Sequence, residues 1–264
     1  MDRIAEAARH IAQARRAGQH LGRLPDAIRP ARMDEGYLIQ DRLHAILEEV
    51  GHGPLVGHKI GATTLVMQRY MEIDHPCAGG IFASSVHESG VTLPHAGFRK
   101  VGIECEVAAR VGRDLTAADA PYDRTSVARH VDAVMAAIEL VDDRYVEWQS
   151  MGTPTLAADD FFGAGSVLGK PTAPGAVADL ATLSGRAIVN GSEVASGVGA
   201  DVMGHPYEAL AWLANNLAAR GHALKAGQFV STGSLVKTLW LAPGDHVAIE
   251  IESLGRVDVT FAAS

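Results

Sequence analysis

Apolar residues at helical spacing open the chain. Ile4, Ala7, Ala8 and Ile11 share one face of a helix predicted over 2–17, and Gly18 supplies the stop. A connector with Leu24-Pro25 and Arg29-Pro30 leads to a second helix over about 34–50. Its stripe is Leu38, Ile39, Leu43, Ile46, Leu47 and Val50, with Asp34 as candidate cap and Gly51 just past the end. Residues 54–61 change character and read as a strand, with Gly57 and Gly61 bracketing Lys59. The Gly-, Pro-, His- and Ser-containing stretch 67–90 reads as a loop-rich lid or connector.

The run Gly102-Ile103-Glu104-Cys105-Glu106-Val107 is β-prone, and Gly112-Arg113-Asp114 turns the chain after it. Val127, Val131, Val134 and Met135 predict a helix capped by Thr125 or Ser126, running into a β-like Ala137-Ile138-Glu139-Leu140-Val141. Asn190-Gly191 predicts a hairpin turn. Pro206 opens a helix carrying Leu210, Leu213, Ala214 and Leu217, which Gly221 ends. The C-terminal stretch is β-rich: Val247, Ile249 and Ile251 alternate with other positions, then Val257, Val259 and Phe261 after a turn at Gly255. No β-α-β-α rhythm and no repeat is present. The pattern predicts a mixed chain: an N-terminal helical layer at 1–53 and one larger domain at 54–264.

Composition narrows the function. The chain has 264 residues, 47% hydrophobic and 20% charged, which is ordinary for a globular protein with a sizeable core. A net charge of −8 without a Lys/Arg cluster argues against nucleic acid and anionic membranes as partners. No apolar run approaches the ~18 residues of a membrane span. The charged start Met1-Asp2-Arg3-Ile4 is unlike a signal peptide. Two cysteines, Cys77 and Cys105, without a C-x-x-C, give no disulfide framework or thiolate zinc site, and a cytoplasmic location is expected. The glycines at 163, 165 and 169 do not form a dinucleotide fingerprint.

Candidate chemistry lies in embedded charges. On a strand, Glu104 and Glu106 share one face, about 7 Å apart at Cα, while Cys105 takes the other. Two such acids repel unless a cation lies between them, or unless the face is simply solvated. Glu139 repeats the theme of an acid within an apolar strand. The three acids are enough ligands for one ion, with other coordination positions left open. Lys59, in apolar surroundings, calls for a carboxylate or an anionic ligand, unless it snorkels from an edge strand.

Taken together, these stretches resemble the fumarylacetoacetate hydrolase superfamily, in its 2-keto-4-pentenoate hydratase / 2-oxo-3-hexenedioate decarboxylase branch. The likeness begins at Asp34-Glu35-Gly36-Tyr37 and runs through Gly57-His58-Lys59-Ile60-Gly61, the E-x-E strand and Ala137-Ile138-Glu139. It closes with Gly204-His205-Pro206, Ala211-Trp212 and Thr232-Gly233-Ser234. It implies an α+β fold: a rolled mixed β-sheet with flanking helices, usually in a homo-oligomer. It implies Mg²⁺ or Mn²⁺ held by Glu104, Glu106 and Glu139, with Lys59 as the active-site lysine. All-oxygen ligands suit those ions better than zinc.

The activity implied is hydration of a 2-hydroxy-2,4-dienoate or 2-oxo-enoate to a 4-hydroxy-2-oxo acid, as in aromatic catabolism. Asp74 and Asp160 are the candidate proton-transfer residues, with His75 and His58 as further stand-ins. Thr232 and Ser234 are candidate substrate ligands, or a plain turn. Two departures bear on this. Family hydratases commonly carry an acid after the lid proline, where this chain has His75-Pro76-Cys77. Many relatives have a small polar run where this chain has Asp160-Phe161-Phe162-Gly163. Decarboxylation of a 2-oxo-3-enedioate, C–C hydrolysis of an acylpyruvate and a catalytically weak partner subunit are the alternatives. Asp159 and Asp160 stand where related hydrolases tend to place a lysine, which weighs against hydrolysis.

Overall fold

A computed structural model describes residues 2–263; Met1 and Ser264, the outer ends of the two expected domains, lie outside it. Helix α1 (Arg3–Arg16) begins where the Asp2 carboxylate accepts from the amides of Ile4 and Ala5. Helix α2 (Met33–Leu47) packs against it through Ile11, Ile39, Leu43 and Leu47. The residue at its N-cap position is Arg32, not Asp34: Asp34 is the second residue of the helix, and its carboxylate pairs with Arg32. A π-turn at Glu48–His52, with Gly51 at φ 100°, delivers the chain to the first strand.

In chain order there follow β1 (Leu55–Gly61), α3 (Leu65–Tyr70), β2 (Cys77–Phe82), β3 (Val86–Glu88), β4 (Val91–Pro94) and β5 (Val101–Val111). Then come α4 (Arg124–Ala128), β6 (Val131–Asp142), α5 (Thr153–Ala158), β7 (Gly163–Leu168), β8 (Ser184–Val189) and β9 (Ser192–Val198). Helix α6 (Pro206–Ala219) precedes β10 (Phe229–Ser234), β11 (Leu239–Trp240), β12 (His246–Ile251) and β13 (Gly255–Ala262).

Two expectations are corrected here. The stretch 67–90 holds α3, β2 and β3 in addition to loop. The helix expected from Val127 to Met135 ends at Ala128, and Asp123 caps it in place of Thr125 or Ser126. Val131, Val134 and Met135 belong to β6, whose residues from Ala133 onward are buried on both faces. A strand covered on both sides reads as a continuous apolar run, which helical spacing also fits.

Among the described residues the strands form two mixed sheets. The larger runs β2-β1-β10-β5-β6-β7-β3, with β11 added along β5. The smaller runs β4-β13-β12-β8-β9. β1 pairs parallel with β10, and β5 lies antiparallel between β10 and β6. Edge strand β2 touches β7, so the larger sheet curls on itself. This is the expected α+β architecture of a rolled mixed sheet with flanking helices.

Alternation along β5 and β6 divides two environments. Ile103, Cys105, Val107, Ile138 and Leu140 point into the main core against the smaller sheet and α6. Glu104, Glu106 and Glu139 take the opposite, inner face of the curl, above a small cluster that includes Ala108, Met135, Ala137 and Phe229. A third cluster joins α1 and α2 to Met151, Leu156 and Phe161.

Candidate active site

Register brings the acids together. Glu104 and Glu139 are directly paired between β5 and β6, and Glu106 follows two residues along the same face. One carboxylate oxygen from each lies within 4.8 Å of those of the other two. Glu106 and Glu139 are fully buried, while Glu104 is half-buried. No fourth Asp, Glu, His or Cys donor joins this cluster among the described residues.

Each acid has a different support. A register shift in β10 between Ser231 and Ser234 turns the chain at Gly233, φ 122°, so that the Gly233 amide donates to Glu106 Oε2 at 3.1 Å. Only glycine takes that φ without strain. The Thr238 hydroxyl donates to Glu104. Lys59 Nζ lies 2.9 Å from Glu139 Oε1, a charge contact whose angle is outside hydrogen-bond geometry. Glu106 Oε1 and Glu139 Oε2 are buried without any partner.

The electrostatics agree with an unfinished charge balance. Burial, with Glu139 and Glu104 beside it, pushes the Glu106 carboxyl well above the ordinary range. Burial raises the Glu139 carboxyl to about 7, although Lys59 opposes the shift. Burial alone would lower the Lys59 amine, but Glu139, Glu104 and Glu106 outweigh it and raise it, so the lysine is charged. One cation therefore faces three carboxylates. Orphaned buried oxygens and raised carboxyls mark a place for a second cation, and three oxygen donors fit Mg²⁺ or Mn²⁺.

Lys59 is held by shape as well as charge. It is 2% exposed and donates to the carbonyl of Phe161 at 3.0 Å. Asp160, Phe161 and Phe162 are all left-handed, at φ 56°, 46° and 66°, a conformation that costs roughly 1–2 kcal/mol per non-glycine residue. The turn fits because neighbouring strands lack side chains there. A Cβ on Gly79 would meet Asp160 O at 2.6 Å, and one on Gly61 would strike the Phe161 ring.

The other candidate residues are placed differently. Asp160 is 1% exposed, with its oxygens taken by Arg15 at 2.9 Å, His44 at 2.7 Å and the Gly80 amide at 2.8 Å. Burial would raise its carboxyl, but His44 and Arg15 together hold it well below the usual range. Asp74 is exposed on the segment leading into β2 and makes no hydrogen bond or ion pair among the described residues. The Thr232 hydroxyl donates to Val107 O at 2.8 Å, and that of Ser234 accepts from the Cys105 amide at 3.2 Å, so both serve the β5 backbone. His75 hydrogen-bonds to Pro76 O and stacks on Trp212. Burial drives the His58 imidazole down to about 3, so it is neutral. Cys77 is fully buried at the start of β2, with its thiol pushed up to about 12 by burial.

Sequence reasoning missed Arg15 and Arg144, which together clamp Asp159 through contacts of 2.5 and 2.8 Å. The available signal was an Asp-Asp pair inside an apolar stretch, which demands cations from elsewhere.

A profile of the fumarylacetoacetate (FAA) hydrolase C-terminal region matches residues 78–262. The chain belongs to the fumarylacetoacetate hydrolase superfamily. It lies close to the superfamily's 2-keto-4-pentenoate hydratase and oxalocrotonate branch. It is 32% identical over 252 residues to a 2-hydroxyhexa-2,4-dienoate hydratase of Comamonas testosteroni, covering 94% of each chain. It is 28% identical to a 2-keto-4-pentenoate hydratase of Paraburkholderia xenovorans strain LB400, covering 98% of this chain and 95% of that one. Its structure is similar, at a TM-score of 0.91 and 26% identity, to 4-oxalocrotonate decarboxylase from Pseudomonas putida G7 complexed with magnesium and adipate, covering 98% and 97%. The chain is an enzyme of the hydro-lyase/decarboxylase type, with a divalent metal cofactor. No helix of the described residues is long and apolar enough to cross a membrane.

Proposed function

We propose that the protein is a Mg²⁺- or Mn²⁺-dependent decarboxylase of a 2-oxo-3-enedioate. The observation that carries this reading is a buried, charged Lys59 beside three carboxylates, with no further Asp, Glu, His or Cys donor in the cluster among the described residues. Such a site suits negative charge on oxygen, and with the three acids on the metal it would keep no further carboxylate or imidazole, among the described residues, to direct a water. Glu104, Glu106 and Glu139 would hold the metal, and the metal would supply Lewis acidity and a template for the 2-oxo acid end.

Decarboxylation needs little more. The bond to the distal carboxylate breaks, its electron pair passes through the conjugated carbons, and the charge arrives on the 2-oxo oxygen. CO₂ leaves, and the enolate of a 2-hydroxy-2,4-dienoate remains. Lys59 offsets the developing charge, and its burial strengthens that effect relative to water. The Phe161 carbonyl and Glu139 fix where its ammonium group points.

Hydration of a 2-hydroxy-2,4-dienoate is the second reading. Exposed, unpaired Asp74 at the approach to β2 favours it, because water addition needs a group that takes and returns a proton. Product analysis separates the two. The protein with Mg²⁺ is given 2-oxo-3-hexenedioate, then 2-hydroxypenta-2,4-dienoate. CO₂ release with appearance of the dienoate is expected. Consumption of the dienoate to a 4-hydroxy-2-oxo acid, without CO₂ from the enedioate, would replace the first reading by the second. Turnover of neither substrate with Mg²⁺ or Mn²⁺ would sink both.

A further inference from the structure

We propose that Arg15, at the end of the N-terminal helix, is a positioning residue for Lys59. The proposal rests on the reading of Lys59 as the group that offsets substrate charge. Arg15 lies in the last turn of α1, its side chain 16% exposed. Its guanidinium bridges two consecutive buried carboxylates: Nε to Asp159 Oδ1 at 2.5 Å, and the terminal nitrogen to Asp160 Oδ2 at 2.9 Å. Asp159 precedes and Asp160 begins the left-handed turn whose next carbonyl, on Phe161, receives the Lys59 ammonium.

The far side of the turn is tied as well. Arg144 donates to Asp159 O at 2.6 Å and Gly163 O at 3.0 Å. His44 and the Gly80 amide hold Asp160 Oδ1. Arg15 from α1 and His44 from α2 are the parts of the clamp that come from outside the sheet, and of the two only Arg15 reaches both carboxylates. A left-handed run of three non-glycine residues persists only where its surroundings over-determine it. Without the Arg15 fork, two buried carboxylates lose a shared cation and the turn can relax. The Phe161 carbonyl then leaves Lys59, and the ammonium follows Glu139 alone. The N-terminal helical layer thus reaches the turn behind Lys59 through Arg15, with His44 beside it.

The test needs no substrate for its first half. Lys59 in full-length Arg15→Ala and Arg15→Lys is labelled with an amine reagent, and Cys105, buried in the opposite core, with a thiol reagent. Peptide mass spectrometry reads both rates. In Arg15→Ala, Lys59 labelling is expected to rise while Cys105 stays protected. With the substrate that turns over, kcat is expected to fall roughly 10- to 100-fold at nearly unchanged KM. Arg15→Lys, which keeps the charge but loses the fork, is expected to lie between. Wild-type protection of Lys59 in Arg15→Ala, or kcat within about twofold of wild type, overturns the proposal. If Arg15→Ala also exposes Cys105, Arg15→Lys decides. Lys59 opened with Cys105 protected supports positioning. Wild-type behaviour, or Cys105 exposed again, assigns Arg15 to stability alone. If the substrate class is wrong, the labelling result is unaffected.

Discussion

Glu104 and Glu139 stand directly opposite each other in the β5–β6 ladder. Like charges in that position destabilise a sheet, and here Glu106 adds a third. The arrangement makes sense as a fold that is completed by a cation, and it sets the pH behaviour of the metal-free protein. The folded Glu139 carboxyl is raised to about 7 and that of Glu106 is raised as well, against about 4.3 in an unfolded chain. Between those values the unfolded chain releases protons that the folded protein keeps. Stability conferred by the protonated acids is therefore full below the unfolded value and is lost as pH rises through about 7. Melting in EDTA is expected to shift to lower temperature from pH 5 to pH 8, and Mg²⁺ to raise the Tm most at the alkaline end. A metal-free Tm that climbs over this range would contradict the assignment.

Replacing Glu104 by Gln separates repulsion from ligation. The substitution removes one charge from the ladder and leaves the half-buried position filled. Metal-free protein is expected to gain roughly 0.2–1 kcal/mol, the size of a cross-strand charge effect. Mg²⁺ binding is expected to weaken by at least about 10-fold, since even a supporting partner of a ligand is worth that much. Calorimetric titration with Mg²⁺ and denaturant melts in EDTA measure the two effects independently. Unchanged affinity would remove Glu104 from the metal site.

Lys59→Met tests the charge-offsetting role. Methionine keeps much of the volume and loses the ammonium. In the presence of Mg²⁺ the fold is expected to survive, because the ion supplies positive charge beside Glu139. The rate is expected to fall roughly 10²- to 10³-fold, as for removal of one donor at a developing oxyanion. Steady-state kinetics with a Mg²⁺ titration reads both. Full turnover would leave the lysine as a structural counter-charge only.

The legible part of this protein was local. Glu104, Glu106 and Glu139 announced themselves because a carboxylate inside an apolar strand is costly unless it is paired. Helices α1 and α6 and the Asn190-Gly191 hairpin followed from spacing and turn chemistry. The helix expected up to Met135 failed because a strand buried on both faces has no period of its own to read. The Asp160 environment was illegible for a different reason: its Arg15 partner lies 145 residues away. So was the Phe161 carbonyl, since a backbone oxygen has no sequence signature. The hydroxyls of Thr232 and Ser234 could be placed near the site by resemblance, but only the register with β5 shows that they face its backbone.

Gly79→Ala asks whether the left-handed turn matters to the chemistry. The new methyl would sit 2.6 Å from Asp160 O and 3.0 Å from Lys59 Cδ. The first of these is backbone and cannot rotate aside, so the turn itself must move. Overpacking of this kind costs typically about 1–3 kcal/mol, which a folded protein tolerates. Mg²⁺ affinity is expected to stay near wild type, because the atoms nearest the new methyl belong to Asp160 and Lys59, not to the three glutamates. The rate is expected to fall roughly 10-fold or more, because Lys59 loses its aim. Gly175→Ala serves as control: its Cβ would meet nothing within 4 Å, and both rate and Tm should hold. If Gly79→Ala also keeps the wild-type rate, the site tolerates a displaced lysine, and the geometry around Phe161 serves packing alone.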